Sequence, residues 1–359
     1  MLKKKILVDA HVFDHSYQGT ATYIAGLYKA MSKYDDLEIS LCAYNIDHLR
    51  EHFGSNTFKF VKLKSRSKIW RLAVELPTII YKGKYDYAHF QYVVPFIKKC
   101  KYINTIHDLL FLEFKQFFPW YYRMINGTLF KTSSLLTDIL LTVSNYSKQE
   151  IAKKFNIDPS QILVTPNGIN VGVYDQATSS KAIDNKYILY VSRFEPRKNH
   201  KSLLDAYLNL RLYEQGYDLV FVGSKKAMIE LQAFNDLVKS IPPAVSARVR
   251  FFEHLSPGEI MHIYQNASCF VFPSLAEGFG IPPLEAANHN CKVLCSNSTA
   301  MQDFDFFKYR YDPYDQSQLE SQLTMLLNDN FYPYEEIRNE ILNRYNWDLI
   351  AEVLHKKLI

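Results

Sequence analysis

SLAEGFGIPPLEAANHN, residues 274–290, starts where the apolar run SCFVFPS (268–274) stops, and it ends in a helix-like segment. A strand, a turn with two glycines and a helix opened by Pro282 and Pro283 make one β–turn–α unit. Gly278 and Gly280 allow the backbone to come close to a ligand where a side chain would obstruct. Glu277 precedes the turn and Glu285 lies within the helix, so the two carboxylates do not share one helix face. Each is a bidentate acceptor suited to vicinal hydroxyls, such as those of a ribose or hexose. Glu285 can equally be a charge that complements the helix dipole.

The same β–turn–α alternation runs through nearly the whole chain, which argues for parallel sheets covered by helices. In the first half, strands are expected at 6–10, 38–44, 59–63, 85–90, 102–108, 138–144 and 161–168, with helices at 20–33, 66–82, 120–136 and 146–155. A polar, Ser-rich stretch at Gln176–Lys186 reads as a linker. The alternation restarts with strands at 187–193, 218–223, 249–255, 268–274 and 291–296 and helices at 199–213, 225–239, 257–265 and 283–290; the pattern over 333–359 is again helical. The expected fold class is α/β: two Rossmann-like domains facing a cleft. Ligands of such sheets bind outside the carboxyl ends of the strands.

Composition narrows the function classes. At 359 residues the chain exceeds one ordinary core, and 48% hydrophobic with 22% charged residues is globular. A net charge of +5 is too mild to imply a nucleic-acid partner. Five cysteines without a CxxC pair suit a reducing, cytoplasmic setting. The first residues, MLKKK, lead into no signal-peptide core, and no run reaches the roughly 18–20 apolar residues of a spanning helix. The expectation is a soluble or membrane-peripheral protein, in which the four Asn-x-Ser/Thr matches carry no meaning.

Polar residues stand at several expected strand ends. After YILYVS come Arg193 and FEPRKNH, which places Lys198 just before a helix. Two cations and a helix N-terminus can grip a phosphate, or they can be a solvated basic turn. INTIHDLLF puts His107 and Asp108 at the end of a first-half strand, as a metal-ligand fragment, a general acid/base or a core pair. Gln18-Gly19-Thr20 leaves the first strand ahead of a helix. DFDFF, with Asp303 and Asp305, reads as a solvated loop. Between His52 and Val74 there is no acid, while Lys59, Lys62, Lys64, Arg66, Lys68 and Arg71 interleave with Ile69, Trp70 and Leu72. That segment is either a membrane-facing helix or a solvated basic face. No dinucleotide fingerprint follows the first strand, since Pro283 occupies the third glycine position after Gly278 and Gly280, and there is no P-loop.

In this company the sequence resembles family 4 of the retaining, nucleotide-sugar-dependent glycosyltransferases, whose GT-B fold has two Rossmann-like domains. The matching motifs run in order: QGTATYIAGL, TIHDLLFLEF, LTVSNYSKQEI, VTPNGI, ILYVSRFEPRKN, FVG, and FFEHLSPGEIMHIYQNASCFVFPSLAEGFGIPPLEA with its Glu-x7-Glu element, Glu277 to Glu285. The resemblance implies an acceptor domain at 1–175, a linker at 176–186, a donor domain at 187–345 and a helix at 346–359 that crosses back. It implies that Arg193 and Lys198 bind the donor diphosphate and that Glu285 binds the ribose. Glu277 would hold sugar hydroxyls, and Phe279, Gly280 and Ile281 would give backbone contacts. His107 would lie beside the donor sugar, Gly19 near the diphosphate, and His254 and Leu255 beside the base. It implies a hexosyl transfer, with a lean to mannosyl, that needs no metal or cofactor beyond the nucleotide sugar. The acceptor would be a saccharide or lipid-linked saccharide in cell-envelope polysaccharide assembly, at an anionic membrane surface. A nucleotide-sugar 2-epimerase and a non-catalytic nucleotide-sugar-binding protein are the alternatives.

Overall fold

The computed structural model describes residues 3–14, 19–54, 57–169, 183 and 185–359. The chain divides into two compact units, Met1–Asn170 with Tyr345–Ile359, and Val171–Arg344. Gln176–Lys186, the expected linker, lies almost wholly outside the described residues.

The first unit is a seven-stranded sheet, β1 (Lys4–Asp9), β2 (Leu37–Ala43), β3 (Lys59–Lys62), β4 (Tyr87–Gln91), β5 (Lys101–Thr105), β6 (Ile139–Thr142) and β7 (Ile162–Val164), in the order β3-β2-β1-β4-β5-β6-β7. Every neighbouring pair is parallel. Its central strands read as continuous apolar runs because helices cover both faces. In β1, Ile6, Leu7 and Val8 are all buried. The order reverses beside β1, so the switch point of the sheet lies where β1 and β4 end.

The segment Tyr345–Ile359 packs on this unit. The Trp347 indole covers Gly26 and Gly168, where a Cβ would stand 2.0 and 2.6 Å from ring carbons. The helix Trp347–His355 is fastened further along by His355 Nε2, 2.9 Å from Asp36, and by the stacking of Tyr34 on that imidazole. The terminal helical pattern is therefore two helices, Tyr334–Arg344 and this one, separated where Asn346 caps the second.

The second unit is a six-stranded sheet, β8 (Lys186–Val191), β9 (Tyr217–Val222), β10 (Val249–Phe252), β11 (Cys269–Phe272), β12 (Val293–Ser296) and β13 (Tyr309–Tyr311), in the order β10-β9-β8-β11-β12-β13. All pairs are again parallel. Several strands end earlier than their apolar runs suggest, β5 at Thr105 among them. β7 stops at Val164, and β10 stops at Phe252, with His254 already in the left-handed region at φ 55°. β13 and the helices Ile46–Phe53 and Gln316–Asn328 complete the architecture. Among the described residues no helix is long and apolar enough to cross a membrane.

Candidate active site

In the second unit the carboxyl ends of β8, β9 and β11 converge. Gly223, just after β9, approaches so closely that a Cβ there would fall 1.8 Å from the Ser192 carbonyl oxygen. Past β8 the chain runs through Arg193 into a tight 3-10 turn, Pro196–Lys198, and Asn199 at φ 56° redirects it into the helix His200–Asn209. Tyr190 on β8 donates its hydroxyl to the Lys198 carbonyl at 2.7 Å, which fixes the turn on the strand. The Leu275 amide donates to the Arg197 carbonyl at 2.9 Å, which joins the turn to the loop after β11.

This joining threads five charges into one chain. Arg193 Nη2 lies 2.7 Å from Glu195 Oε1, and Glu195 Oε2 lies 2.8 Å from Arg197 Nε. Arg197 Nη1 lies 3.0 Å from Glu277 Oε2, and Lys198 Nζ takes the other Glu277 oxygen. Ser274 Oγ also donates to Glu277, at 2.8 Å. Burial alone would raise the Glu277 carboxyl, but the facing Lys198 and Arg197 outweigh it and bring it down to about 2. Lys198 is pushed below its ordinary value by burial first and by Arg197 second, with Glu277 opposing both. The pair is held as a true ion pair.

Arg193 and Lys198 were expected as two cations facing an anion. The structure links both into the same chain but balances each with a carboxylate, and Glu230, 3.3 Å from Arg193, adds a further one. Arg193 remains 56% exposed, whereas the other members are largely covered. Arg197 is the member that the sequence reading missed. Its signal was the alternation Glu195-x-Arg197-Lys198, in which a paired cation next to an acid looked like ordinary surface charge.

The loop after β11 is held from behind. The Glu277 amide donates to Thr299 Oγ1 at 2.9 Å, and Thr299 sits at φ 52°. Phe279 is buried with its ring edge-on to Phe304 at 5.7 Å. Gly280 caps the helix Ile281–Asn288 at φ 103°, a conformation that the glycine is needed for. Because Pro282 and Pro283 carry no N–H, Ile281 supplies the one first-turn amide, so this helix end is poorer in donors than its position suggests. Glu285 is half-buried, accepts from Tyr264 at 3.2 Å, and is raised by burial. His254 is exposed and Leu255 half-buried, both past the end of β10. The DFDFF stretch is no solvated loop throughout: Phe304 and Phe307 are core, and Asp305 pairs with Arg344 at 2.5 Å.

In the first unit Gly19 is exposed and is the first residue of the helix Gly19–Met31, inside the helix rather than ahead of it. His107, just past β5, is buried, with its ring edge-on to Tyr23 at 5.1 Å. Its Nε2 donates to Gln91 Oε1 at 2.6 Å, and Gln91 Nε2 lies 3.3 Å from His89 Nε2. His89 Nδ1 shares a hydrogen bond with the Tyr28 hydroxyl at 2.7 Å, and His89 Nε2 lies 2.8 Å from Thr105 Oγ1. Burial holds both imidazoles neutral, near 3. His107 is thus an oriented neutral hydrogen-bonding group with Nδ1 left as an acceptor. Among the described residues no cluster of three His, Cys, Asp or Glu could hold a metal ion.

Two family profiles divide the chain between them. Glyco_transf_4, "Glycosyltransferase Family 4", matches residues 17–173, and "Glycosyl transferases group 1" matches 175–344. The chain belongs to the family 4 glycosyltransferases. It is 32% identical over 201 residues to the O-antigen chain mannosyltransferase RfbU of Salmonella typhimurium, covering 54% of this chain and 51% of that one. It is 26% identical over 211 residues to O-antigen chain mannosyltransferase B of Escherichia coli, covering 56% and 54%. The chain therefore spans about half the length of these curated relatives. Among solved structures, a glycosyltransferase from Rickettsia africae superposes with a TM-score of 0.74 at 17% identity, over 99% of this chain and 98% of that one. Anabaena HepE, solved with UDP and glucose, gives 0.75 at 15% identity over 99% of each. These likenesses establish the GT-B fold.

Proposed function

We propose that this glycosyltransferase moves a hexose, with retention, from a nucleoside-diphosphate sugar to a saccharide or lipid-linked saccharide during cell-envelope polysaccharide assembly. The observation that carries the reading is the buried Lys198–Glu277–Arg197 cluster at the carboxyl ends of β8 and β11. As the glycosyl–phosphate bond breaks, its electron pair passes to the departing diphosphate. Lys198 and the exposed Arg193 are the groups suited to take up that charge, fixed in advance by their turn. Glu277, released from full engagement with Lys198, can accept from sugar hydroxyls, and Glu285 from the ribose. Phe279, Gly280 and Ile281 offer backbone, while His254 and Leu255 line the base. In the first unit His107 Nδ1 can accept from a hydroxyl, and Gly19 leaves its helix start open. With the diphosphate balanced by side chains, the reaction needs no metal ion.

The activity printed for both O-antigen relatives makes mannose the first sugar to assay, and a panel of GDP- and UDP-hexoses by thermal shift fixes the donor. Lys198→Ala should lower turnover by about two to three orders of magnitude, since one such electrostatic donor is worth roughly 2.7–4 kcal/mol. A variant within fivefold of wild type removes Lys198 from the mechanism.

The proposal extends to an anionic membrane surface at the inner face. Ile69 is 81% and Trp70 53% exposed, beside Lys62, Lys64, Arg66 and Lys68. Aromatic insertion next to basic side chains suits such a surface. Co-sedimentation with anionic vesicles at low salt, lost in Trp70→Ala, is the expected result; absence of wild-type binding ends this part.

A further inference from the structure

The basic segment was read as a surface helix, yet one of its cations faces inward. Ser67 caps a single turn, Lys68–Trp70, which runs into a π-helical turn at Arg71–Glu75 before Leu76–Gly83 continues as α-helix. A π-turn shifts the helix register locally, and such turns gather at functional sites. Here Ile69 and Trp70 point to solvent while Arg71, only 7% exposed, is buried. Glu75, at the far end of the turn, accepts from the Lys64 amide at 2.5 Å and ties the turn to the preceding loop.

The Arg71 side chain makes no hydrogen bond among the described residues. Its Nε stands 3.4 Å from Asp9 Oδ2 as an ion pair, and it is recorded as a buried donor without a hydrogen-bond acceptor. A guanidinium carries five N–H donors, and buried ones are ordinarily satisfied. Asp9 therefore positions one edge of Arg71 and leaves the fork for something else.

That fork borders a pocket of about 330 Å³ within the first unit. The pocket sits at the carboxyl ends of β1, β4 and β5, beside the switch point of the sheet. Lys68 and His11 line it with Arg71, and Asp9 holds His11 as well, its Oδ1 lying 3.1 Å from His11 Nδ1. Lys68, although exposed, is drawn below its ordinary value by partial desolvation and by the neighbouring Arg71. Phe118, Tyr122 and Phe130 also line the pocket, as do Asp108 and Asn126, which are able to bond hydroxyls. An aromatic wall with a few polar groups suits a sugar ring, and the basic groups suit an anion of several oxygens.

We infer that this pocket is an acceptor subsite for a sugar bearing a phosphate group, anchored by the Arg71 fork with Lys68 and His11. The inference rests on the glycosyl-transfer reading and adds the acceptor's chemistry to it. A fork, an ammonium and an imidazole match three tetrahedral oxygens better than a planar carboxylate. The phosphate can belong to a free sugar phosphate or to a prenyl diphosphate-linked sugar.

Calorimetry on the full chain compares mannose 1-phosphate, mannose, glucuronate and a short-chain prenyl-diphospho-N-acetylglucosamine. The Lys198→Ala background removes binding at the donor diphosphate site. Mannose 1-phosphate should bind at least tenfold tighter than mannose or glucuronate, and Lys68→Ala and Arg71→Gln should each abolish that preference. Should Arg71→Gln fail to fold by circular dichroism, the exposed Lys68 carries the test. The prenyl-linked probe binding at least as tightly as mannose 1-phosphate assigns the lipid-linked source; weaker binding assigns the free one, and either supports the phosphate site. No preference over mannose, a preference for glucuronate, or a preference that survives both substitutions overturns it. Transfer activity separates the two claims. A chain that transfers hexose yet shows no preference for mannose 1-phosphate keeps the transfer reading and loses this subsite, whereas one that binds the sugar phosphate but transfers nothing to any acceptor loses the transfer reading.

Discussion

Beside one buried ion pair, Arg71 with Asp9, the first unit holds a series of neutral hydrogen-bonding groups, whereas the second buries a chain of alternating charges. Tyr28, His89, Gln91 and His107 form a series of hydrogen bonds between neutral groups, with Thr105 meeting His89 at its side. Arg193, Glu195, Arg197, Glu277 and Lys198 form a series in which each charge meets an opposite one. A neutral series can be buried at small cost and can only orient what it touches. A charged series costs far more to desolvate, and its members can exchange one partner for another of the same sign. The second arrangement suits a site where an anion arrives, gains charge and leaves. The first suits a scaffold that must hold a ring in place.

Glu277 is where this contrast is easiest to break. Glu277→Gln keeps the shape but leaves Lys198 without a carboxylate and Arg197 with Glu195 as its carboxylate partner. Removing one partner from a buried pair costs about 3–5 kcal/mol. We expect that loss at pH 7 in urea unfolding. The sign of its pH dependence follows from the depressed carboxyl, about 2 when folded against 4.5 when free. The stabilisation is complete above pH 4.5 and disappears as pH falls toward 2. Wild type and variant should therefore converge over that window. A loss under about 1 kcal/mol at pH 7 would show that the charges are solvated, and the contrast between the units would fall.

Much of this was legible beforehand, because the α/β alternation is a repeated pattern that survives local errors. β13 was not, since Tyr309–Tyr311 is three residues long and offers no apolar run. Strand ends were overextended at His254 because an apolar run does not announce a left-handed residue. At the site, Glu277, Lys198 and Gly280 stood out through the turn chemistry around them. Arg197 did not, because pairing across Leu275 and Ala276 is a tertiary fact. Arg71 was counted among surface cations, as nothing in one-dimensional spacing marks a π-turn. Gln91 was overlooked as well: it lies at the end of an expected strand, and its bond to His107 joins two strands that only the sheet order makes neighbours.

The neutral series gives the gentler test. His89 and His107 both sit near 3 against 6.5 when free. Between those values the unfolded chain binds more protons, so stability falls as pH drops from 6.5 toward 3. At pH 5.5 each histidine accounts for about 1 kcal/mol of that fall. His200 in the second unit, also held near 3, contributes to the same slope. A His107→Gln variant isolates the first unit, and it should lose about 1 kcal/mol less than wild type between pH 7 and 5.5. Nitrogen-15 spectra at pH 5.5 should show His107 protonated on Nε2 alone, as its bond to Gln91 Oε1 requires, and His89 as a neutral imidazole with one protonated nitrogen. An imidazolium at either position would mean that this hydrogen-bonded series itself tolerates charge, leaving it alike in kind to the charged series of the second unit.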